Sequence, residues 1–363
     1  MLYDTTPEKA GARRRDLVTL IGAGLLFVPS PLTVKALTEE WMKQHRRKGL
    51  AVTTIDNYRD TLNSCVLPYV GHLQIKDFQP GALERMFNGL QDRGLSDSTI
   101  KHVRRVCKLF IKYAVWKKYL RESPLEGLEL PKGAEPRETR SLTPAEARTL
   151  VETALLDLGD LIFVFALFMG MRPKECLGLP LSNVELVDDA AALVRVTQQA
   201  VKLRRAPGHI FTRPKTRKGV REVPFPAWLY RELMRLQCAN AARERLLGAG
   251  WTDYGLVFPS RTGRPISEGW LRDMFARLLK RSGLPPHFTP YSLRYTYNTL
   301  LSEGGVADKA RCVLMGHARE DFNRAVYVRT LPQMFEGVAE TLERQIFGAS
   351  RPSFAPGESG PVM

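Results

Sequence analysis

The sequence lacks the usual signatures of metal and nucleotide chemistry. Its five cysteines, Cys65, Cys107, Cys176, Cys238 and Cys312, are odd in number, widely spaced and form no CxxC pair. That pattern argues against a disulfide framework or a zinc knuckle and fits a reducing compartment. The six histidines include no HExxH-like pairing, and no glycine-rich loop ends in Gly-Lys-Ser or Gly-Lys-Thr, so no metal and no nucleotide cofactor is expected. Long apolar runs are missing too. One mostly apolar stretch, Leu17 to Val28, follows Arg13, Arg14 and Arg15 in the manner of a secretory signal. It is too short to span a bilayer and no small-residue cleavage site follows it, so we read it as a buried strand or an overlong start, with no membrane partner and a cytoplasmic location.

Acidic residues are also in short supply. Against 38 Asp plus Glu stand 54 Lys plus Arg, leaving a formal charge of +16. A field of that sign concentrates polyanions, which makes nucleic acid the leading partner and an anionic membrane the second. At 363 residues the chain exceeds one ordinary compact unit, and two domains are expected.

The first is all-helical. Residues 33 to 48 predict a helix with Leu37 and Trp41 on one side, and a second begins at Thr53 or Thr54 with Ile55, Tyr58 and Leu62 at helical spacing. Leu67-Pro68-Tyr69-Val70-Gly71 reads as a break. Ser96, Asp97 or Ser98 can cap a longer helix that lines up Ile100, Val103, Cys107, Phe110 and Ala114. The rest of that helix carries Lys101, Arg104, Arg105, Lys108 and Lys112, which on one helix alone would be a solvated face but, given the overall charge, are candidate phosphate contacts. Glu122 to Arg140 has little apolar periodicity and reads as a linker.

Thr143-Pro144-Ala145-Glu146 opens the second domain as a capping box with Pro at the first helical position. A strongly apolar helix follows from Leu161 to Met169. Alternation around Ala192 to Val201 and Val220 to Val223 predicts short strands, with the basic turn Lys215-Thr216-Arg217-Lys218-Gly219 between them. Helices then dominate from Ala227. The resulting organisation is an N-terminal extension of unclear role (1–31), a helical DNA-binding domain (32–122), a linker (123–140), a second domain (141–347) and a Pro-, Gly- and Ser-rich tail expected to be disordered (348–363).

Three local patterns carry chemistry. Gly170-Met171-Arg172-Pro173-Lys174-Glu175 places Arg172 at a helix N-terminus, where free amides already favour an anion. Glu175, at the third position of that helix, suits either capping or holding the Arg172 guanidinium. Thr289-Pro290-Tyr291-Ser292-Leu293-Arg294 starts another helix and puts Tyr291 and Arg294 on one face, directed at one spot. In Leu314-Met315-Gly316-His317, Gly316 is a helix stop, and Tyr327 lies ten residues beyond His317.

In this order the pieces resemble the tyrosine recombinase (phage integrase) family, over roughly residues 32 to 345. The resemblance rests on Arg172, Lys215, Arg294, His317 and Tyr327, which fall in the family's sequence of roles. Thr54-Ile55-Asp56-Asn57-Tyr58 and Ser98-Thr99-Ile100 are similar to the family's core-binding domain. The resemblance implies a mainly α fold with a small β-sheet: a helical, SAM-like core-binding domain and an α+β catalytic domain that clamp DNA. It further implies site-specific recombination by metal-independent transesterification. Tyr327 would be the nucleophile of a 3′-phosphotyrosine intermediate, on double-stranded DNA with an inverted-repeat core site, with a homotetramer and an accessory directionality factor as partners at the nucleoid.

The physical chemistry suits these residues. Arg172 and Arg294 can each offer paired donors to phosphate oxygens, which Lys cannot reproduce. A free phenol is ionised only about one part in a thousand at pH 7, and a cationic cluster lowers its pKa. A flexible ammonium on a turn can protonate the leaving deoxyribose oxygen. Lys215 is the candidate, its Pro214-Lys215-Thr216 setting being similar to the family's, with Lys218 and Lys202 as runners-up; Arg217 and Lys218 are further DNA contacts.

Two departures stand out. The family commonly has His where this chain has Tyr291 and again where it has Tyr295, and a phenol is a much poorer base near neutral pH. His287, four residues upstream of Tyr291, is a substitute constrained by Pro286. Tyr291 keeps open a catalytically impaired DNA-binding protein of the same fold. A type IB topoisomerase-like relaxase would use much the same residues on one strand. Residues 1 to 30 do not resemble an arm-binding domain, so core-site binding alone is expected. The apolar positions Met334, Phe335, Val338 and Leu342 of a helix from Pro332 to Ile346 suit docking on a neighbouring protomer or packing on their own domain.

Overall fold

The computed structural model describes residues 32–47, 49–134, 140–202, 208–214, 219–316 and 337–348, together with residues 11, 14–16, 18 and 19. The chain forms two compact units, Met1–Glu138 and Thr139–Met363. Among the described residues no helix is long and apolar enough to cross a membrane.

The first unit is built on helices α1 (Val34–Arg47), α2 (Val52–Thr61), α3 (Leu67–Val70), α4 (Pro80–Asp92) and α5 (Asp97–Trp116). Leu37, Trp41, Leu62, Phe78, Phe87 and the whole predicted stripe of α5 are removed from water in one core. Ser96 caps α5, its hydroxyl accepting from the Thr99 N–H at 3.3 Å. The proline segment does not break the helix as expected. A π turn, Leu62–Val66, joins α2 to α3, and Pro68 occupies the first turn of α3, where its missing N–H costs little. The carbonyl that Pro68 cannot engage, that of Ser64, accepts instead from Arg93 Nη1 at 3.0 Å. Glu40 of α1 accepts from Tyr113 Oη at 2.6 Å and from Tyr119 Oη at 3.3 Å, fastening α1 to the end of α5.

Part of the segment read as linker belongs to this unit. Leu125 is 5% exposed within the core, and Ala134 forms a parallel bridge with Ser96. Its weak periodicity hid isolated anchors that pack without forming an element.

The second unit carries α6 (Pro144–Ala154), α7 (Leu161–Met169), α8 (Pro173–Leu177), β1 (Val184–Leu186), β2 (Ala191–Val196), β3 (Gln199–Lys202), β4 (His209–Thr212), β5 (Arg221–Pro226), α9 (Ala227–Leu247), α10 (Glu268–Arg281), α11 (Pro290–Glu303), α12 (Asp308–Met315) and α13 (Val338–Phe347). The Thr143/Glu146 capping box opens α6. Every residue of α7 is buried, as an all-round apolar helix must be. The strands form an antiparallel sheet of order β1-β2-β5 and a separate β3-β4 hairpin. The stretch from Ala192 to Val201 is therefore two strands in two sheets, and β1 and β4 were not anticipated. Val338, Leu342, Ile346 and Phe347 of α13 are buried in the core of their own unit, and Trp228 Nε1 of α9 donates to Glu343. Intramolecular packing thus accounts for Val338 and Leu342, while Met334 and Phe335 lie outside the described residues.

Candidate active site

The site is assembled where three helix ends meet strand β5. Helix α7 stops at Gly170, which has φ +54°. A Cβ there would also meet the Tyr297 ring at 2.3 Å, so only glycine fits. Two residues on, Arg172 is the N-cap of α8, with Pro173 in the first turn. Glu175 then does both things the sequence allowed. Its Oε2 accepts from the Arg172 backbone N–H and its Oε1 from Arg172 Nη1, each at 2.8 Å. The Glu175 side chain is only 2% exposed, whereas that of Arg172 is 32% exposed.

A third arginine, which sequence reasoning missed, completes the arrangement around Glu175. Arg221 lies on β5, where Arg221, Val223 and Phe225 face inward. Its Nη2 donates to Glu175 Oε2 at 2.8 Å and its Nη1 to Oε1 at 3.2 Å. Its Nε donates to the Leu314 carbonyl at 2.6 Å, and Nη1 also reaches the Gly219 carbonyl at 3.2 Å. The available signal was an arginine at the inward register of an alternating strand, a position that demands a buried partner. Burial pushes the Glu175 carboxyl up, but Arg221, and then the amide and guanidinium of Arg172, outweigh it and hold the group down at about 2.

Arg294 sits on α11, whose N-terminus is closed by Thr289 and Ser292. It is 4% exposed and donates Nη1 to the Gly170 carbonyl and Nη2 to the Met315 carbonyl. Both acceptors lie at helix C-termini that end in a left-handed glycine, Gly170 and Gly316. One guanidinium therefore satisfies carbonyls that α7 and α12 cannot satisfy internally. Burial, then the nearby charges of Arg221 and Arg172, push Arg294 down to about 9, which still leaves it cationic at neutral pH. One turn further, Tyr297 is fully buried with no hydrogen-bond partner for its hydroxyl among the described residues.

Three guanidinium groups face one carboxylate, so two positive charges in this cluster are not offset by Glu175. They are fixed before any ligand arrives. Such a site suits an anion whose charge grows during reaction.

Not every sequence-predicted residue joins the cluster. Tyr291 is 45% exposed while Arg294, on the same helix, is buried, yet Tyr291 lies near enough to act electrostatically on the Arg294 guanidinium. Tyr295 is also exposed, and His287 is exposed against Phe288, their ring centroids 4.4 Å apart. Lys202 is exposed at the end of β3. Lys215, Arg217, Lys218, His317 and Tyr327 lie outside the described residues. In the first unit Lys101, Arg104, Arg105, Lys108 and Lys112 are all exposed on α5. Lys101 pairs with Asp97 at 2.6 Å and Arg104 Nη2 reaches the Leu128 carbonyl at 3.5 Å.

Comparison with known proteins covers both units. Residues 140–334 match the phage integrase family and residues 34–129 the phage integrase central domain. The chain is 26% identical over 358 residues to a XerC-like tyrosine recombinase of Caldanaerobacter subterraneus subsp. tengcongensis, covering 94% of this chain and 90% of that protein. It is 23% identical over 337 residues to the integrase of Staphylococcus phage L54a, covering 87% and 94%. In fold it is similar to the Tn1549 transposon integrase bound to transposon right end DNA, with a TM-score of 0.64 and 23% identity over 79% of this chain and 92% of that one. It is also similar to lambda integrase, solved as a tetramer on a Holliday junction, with a TM-score of 0.54 and 18% identity over 81% and 80%.

Proposed function

Because the chain belongs to the phage integrase family, we propose that it performs site-specific recombination, cutting and rejoining DNA through a covalent phosphotyrosine. The observation that carries this reading is the preset pair Arg172 and Arg294, one held by a buried carboxylate and the other by two helix-end carbonyls. Paired donors fixed in advance stabilise the charge that builds on the equatorial oxygens of a phosphorane without reorganising during the reaction. Tyr327, having lost its phenolic proton to solvent as the phenolate favoured by the cationic cluster, attacks the scissile phosphorus as the bond to the 5′ deoxyribose oxygen breaks, and Lys215 delivers a proton to that leaving oxygen. The 3′ phosphate remains on the tyrosine oxygen, and attack by a second DNA hydroxyl reverses the step with no external fuel. His317 completes the set by its place in the family pattern. Tyr291 can donate a hydrogen bond to a phosphate oxygen from its exposed position, but not serve as a base near neutral pH.

The exposed cations of α5, with Arg217 and Lys218, supply phosphate contacts along the duplex, which set affinity rather than sequence choice. The substrate is double-stranded DNA with an inverted-repeat core, acted on by a homotetramer, with an accessory factor setting direction.

Nicked duplexes of randomised sequence, incubated with the full chain and resolved under denaturing conditions, test the nucleophile. The wild type yields a denaturant-resistant adduct, and Tyr327→Phe yields none. An adduct that persists in Tyr327→Phe refutes the assignment of the nucleophile. The absence of any wild-type adduct favours a DNA-binding protein without catalysis.

A further inference from the structure

We infer that Arg221 is a positioning residue for the cleavage reaction: it occupies the paired-donor face of Glu175 and so leaves Arg172 free to hold a phosphate. The inference rests on the proposed function. Its basis is how the two arginines divide one carboxylate. Arg221 spans both oxygens, Nη2 to Oε2 at 2.8 Å and Nη1 to Oε1 at 3.2 Å. Arg172 places one guanidinium nitrogen, Nη1, on Oε1, its other bond to Glu175 coming from the backbone.

An arginine and a carboxylate left to themselves prefer the two-bond fork. If Glu175 had only Arg172 beside it, the fork would form there, and the guanidinium meant for the phosphate would be neutralised. With Arg221 in that place, Arg172 is oriented by a single side-chain bond and keeps donors for an anion.

The same guanidinium ties together three parts of the chain. Its Nε holds the Leu314 carbonyl, three residues before His317 in sequence, and Nη1 holds the Gly219 carbonyl, one residue after Lys218 in sequence. A lysine, with one ammonium, cannot span these acceptors in a plane. Stability alone is a weak reason for the arrangement, because buried Arg–Glu–Arg sets can often be replaced by apolar residues without loss.

The test uses the full chain and nicked duplexes enriched from a randomised pool by wild-type adduct formation. It measures the single-turnover adduct rate at saturating DNA, the DNA dissociation constant and the pH profile for Arg221→Met, Arg221→Lys, Glu175→Gln and Arg221→Met/Glu175→Gln. Losing a preset stabiliser of transition-state charge typically slows catalysis by about 100-fold or more. Arg221→Met should show that loss, and Arg221→Lys most of it, with DNA affinity changed less than about 3-fold, since affinity is spread over many phosphate contacts. The loss should shrink toward acid pH as Glu175 gains a proton and releases Arg172.

The double variant should regain about 10-fold over Arg221→Met and match Glu175→Gln, as expected of two residues acting through one another. Where Arg221→Met does not fold, the comparison of the double variant with Glu175→Gln decides, because neither leaves an unpaired buried carboxylate. Independent losses in that comparison, or a wild-type rate in Arg221→Met, overturn the inference while leaving the proposed function standing. A wild-type chain that forms no adduct overturns both.

Discussion

The two units handle positive charge in opposite ways. In the first, cations stand on the outside of α5 while its apolar stripe fills the core, and the buried polar side chains are only Thr38, Asp56 and Thr61 among the described residues. In the second, Arg221 and Arg294 are buried beside Glu175, at 4%, 4% and 2% exposure. The exposed arrangement needs no partner but is screened by salt. The buried one is costly to desolvate, so it persists only where acceptors hold its guanidinium groups, and that requirement fixes its geometry. The difference teaches where precision resides: a surface that adds up contacts tolerates loose side chains, and a site that stabilises a transition state does not.

The largest effect should follow from changing Arg294. Arg294→Lys keeps a positive charge but cannot reach the Gly170 and Met315 carbonyls and a phosphate together. It should lower the adduct-forming rate by about 1,000-fold, the upper range for loss of one preset donor group. Single-turnover cleavage at saturating DNA checks this. A loss of less than about 10-fold would mean that charge alone suffices, and the contrast between the units would fail at its strongest point.

Acid should separate the units next. Glu175 is held at about 2, below its ordinary 4.5, so its contribution is fully present above pH 4.5 and is lost as the pH falls toward 2. The shift corresponds to on the order of 3 kcal/mol. Glu146, held at about 2 chiefly by its hydrogen bonds with Arg140 against the effect of burial, acts in the same sense. Asp160 acts in the opposite sense. Burial outweighs Arg281 and raises it from 3.8 to about 6, so acidification from pH 6 to 4 stabilises the fold through that residue. Urea unfolding followed from pH 7 to 2 should therefore show stability of the second unit rising as the pH falls from about 6 to 4, then falling as it drops further toward 2. Glu175→Gln should flatten the fall, and an unchanged acid limb would contradict the role assigned to the buried pair.

What was legible in the sequence divides along the same line. The stripe of α5, the wholly apolar α7, the Thr143 capping box and the stop at Gly316 depend on neighbours within a turn or two, and local pattern revealed them. Arg172 and Glu175 were legible for the same reason, being three residues apart. Arg221 was not, because its partners lie 46 and 93 residues away along the chain, in Glu175 and Leu314. Strand β4, His209–Thr212, has little strand pattern of its own in the sequence and owes its state to pairing with β3. The continued helix at Pro68 depends on Arg93 serving the Ser64 carbonyl, a contact across the bundle. Tyr291 shows the limit of helical spacing, which predicts a shared face but not that one side chain is buried and the other exposed.

The smallest effect belongs to the surface cations and sharpens the comparison from the other side. Arg105, Lys108 and Lys112 recur at helical spacing on the exposed side of α5, whereas Lys101 is engaged by Asp97 and Arg104 reaches the Leu128 carbonyl. Replacing Lys108 by Ala should leave folding stability within about 0.5 kcal/mol, as expected for an exposed site. It should reduce the dependence of DNA affinity on salt by about one unit of log–log slope if one phosphate contact is lost. Lys101→Ala should reduce it less, because part of that charge is already met within the helix. Binding titrations across salt concentrations with duplex DNA would measure both slopes. Slopes unchanged in an Arg105→Ala, Lys108→Ala, Lys112→Ala triple variant would place the DNA on another face. The exposed stripe would then be only a solvated helix surface, and phosphate binding would rest with the second unit's preset arginines.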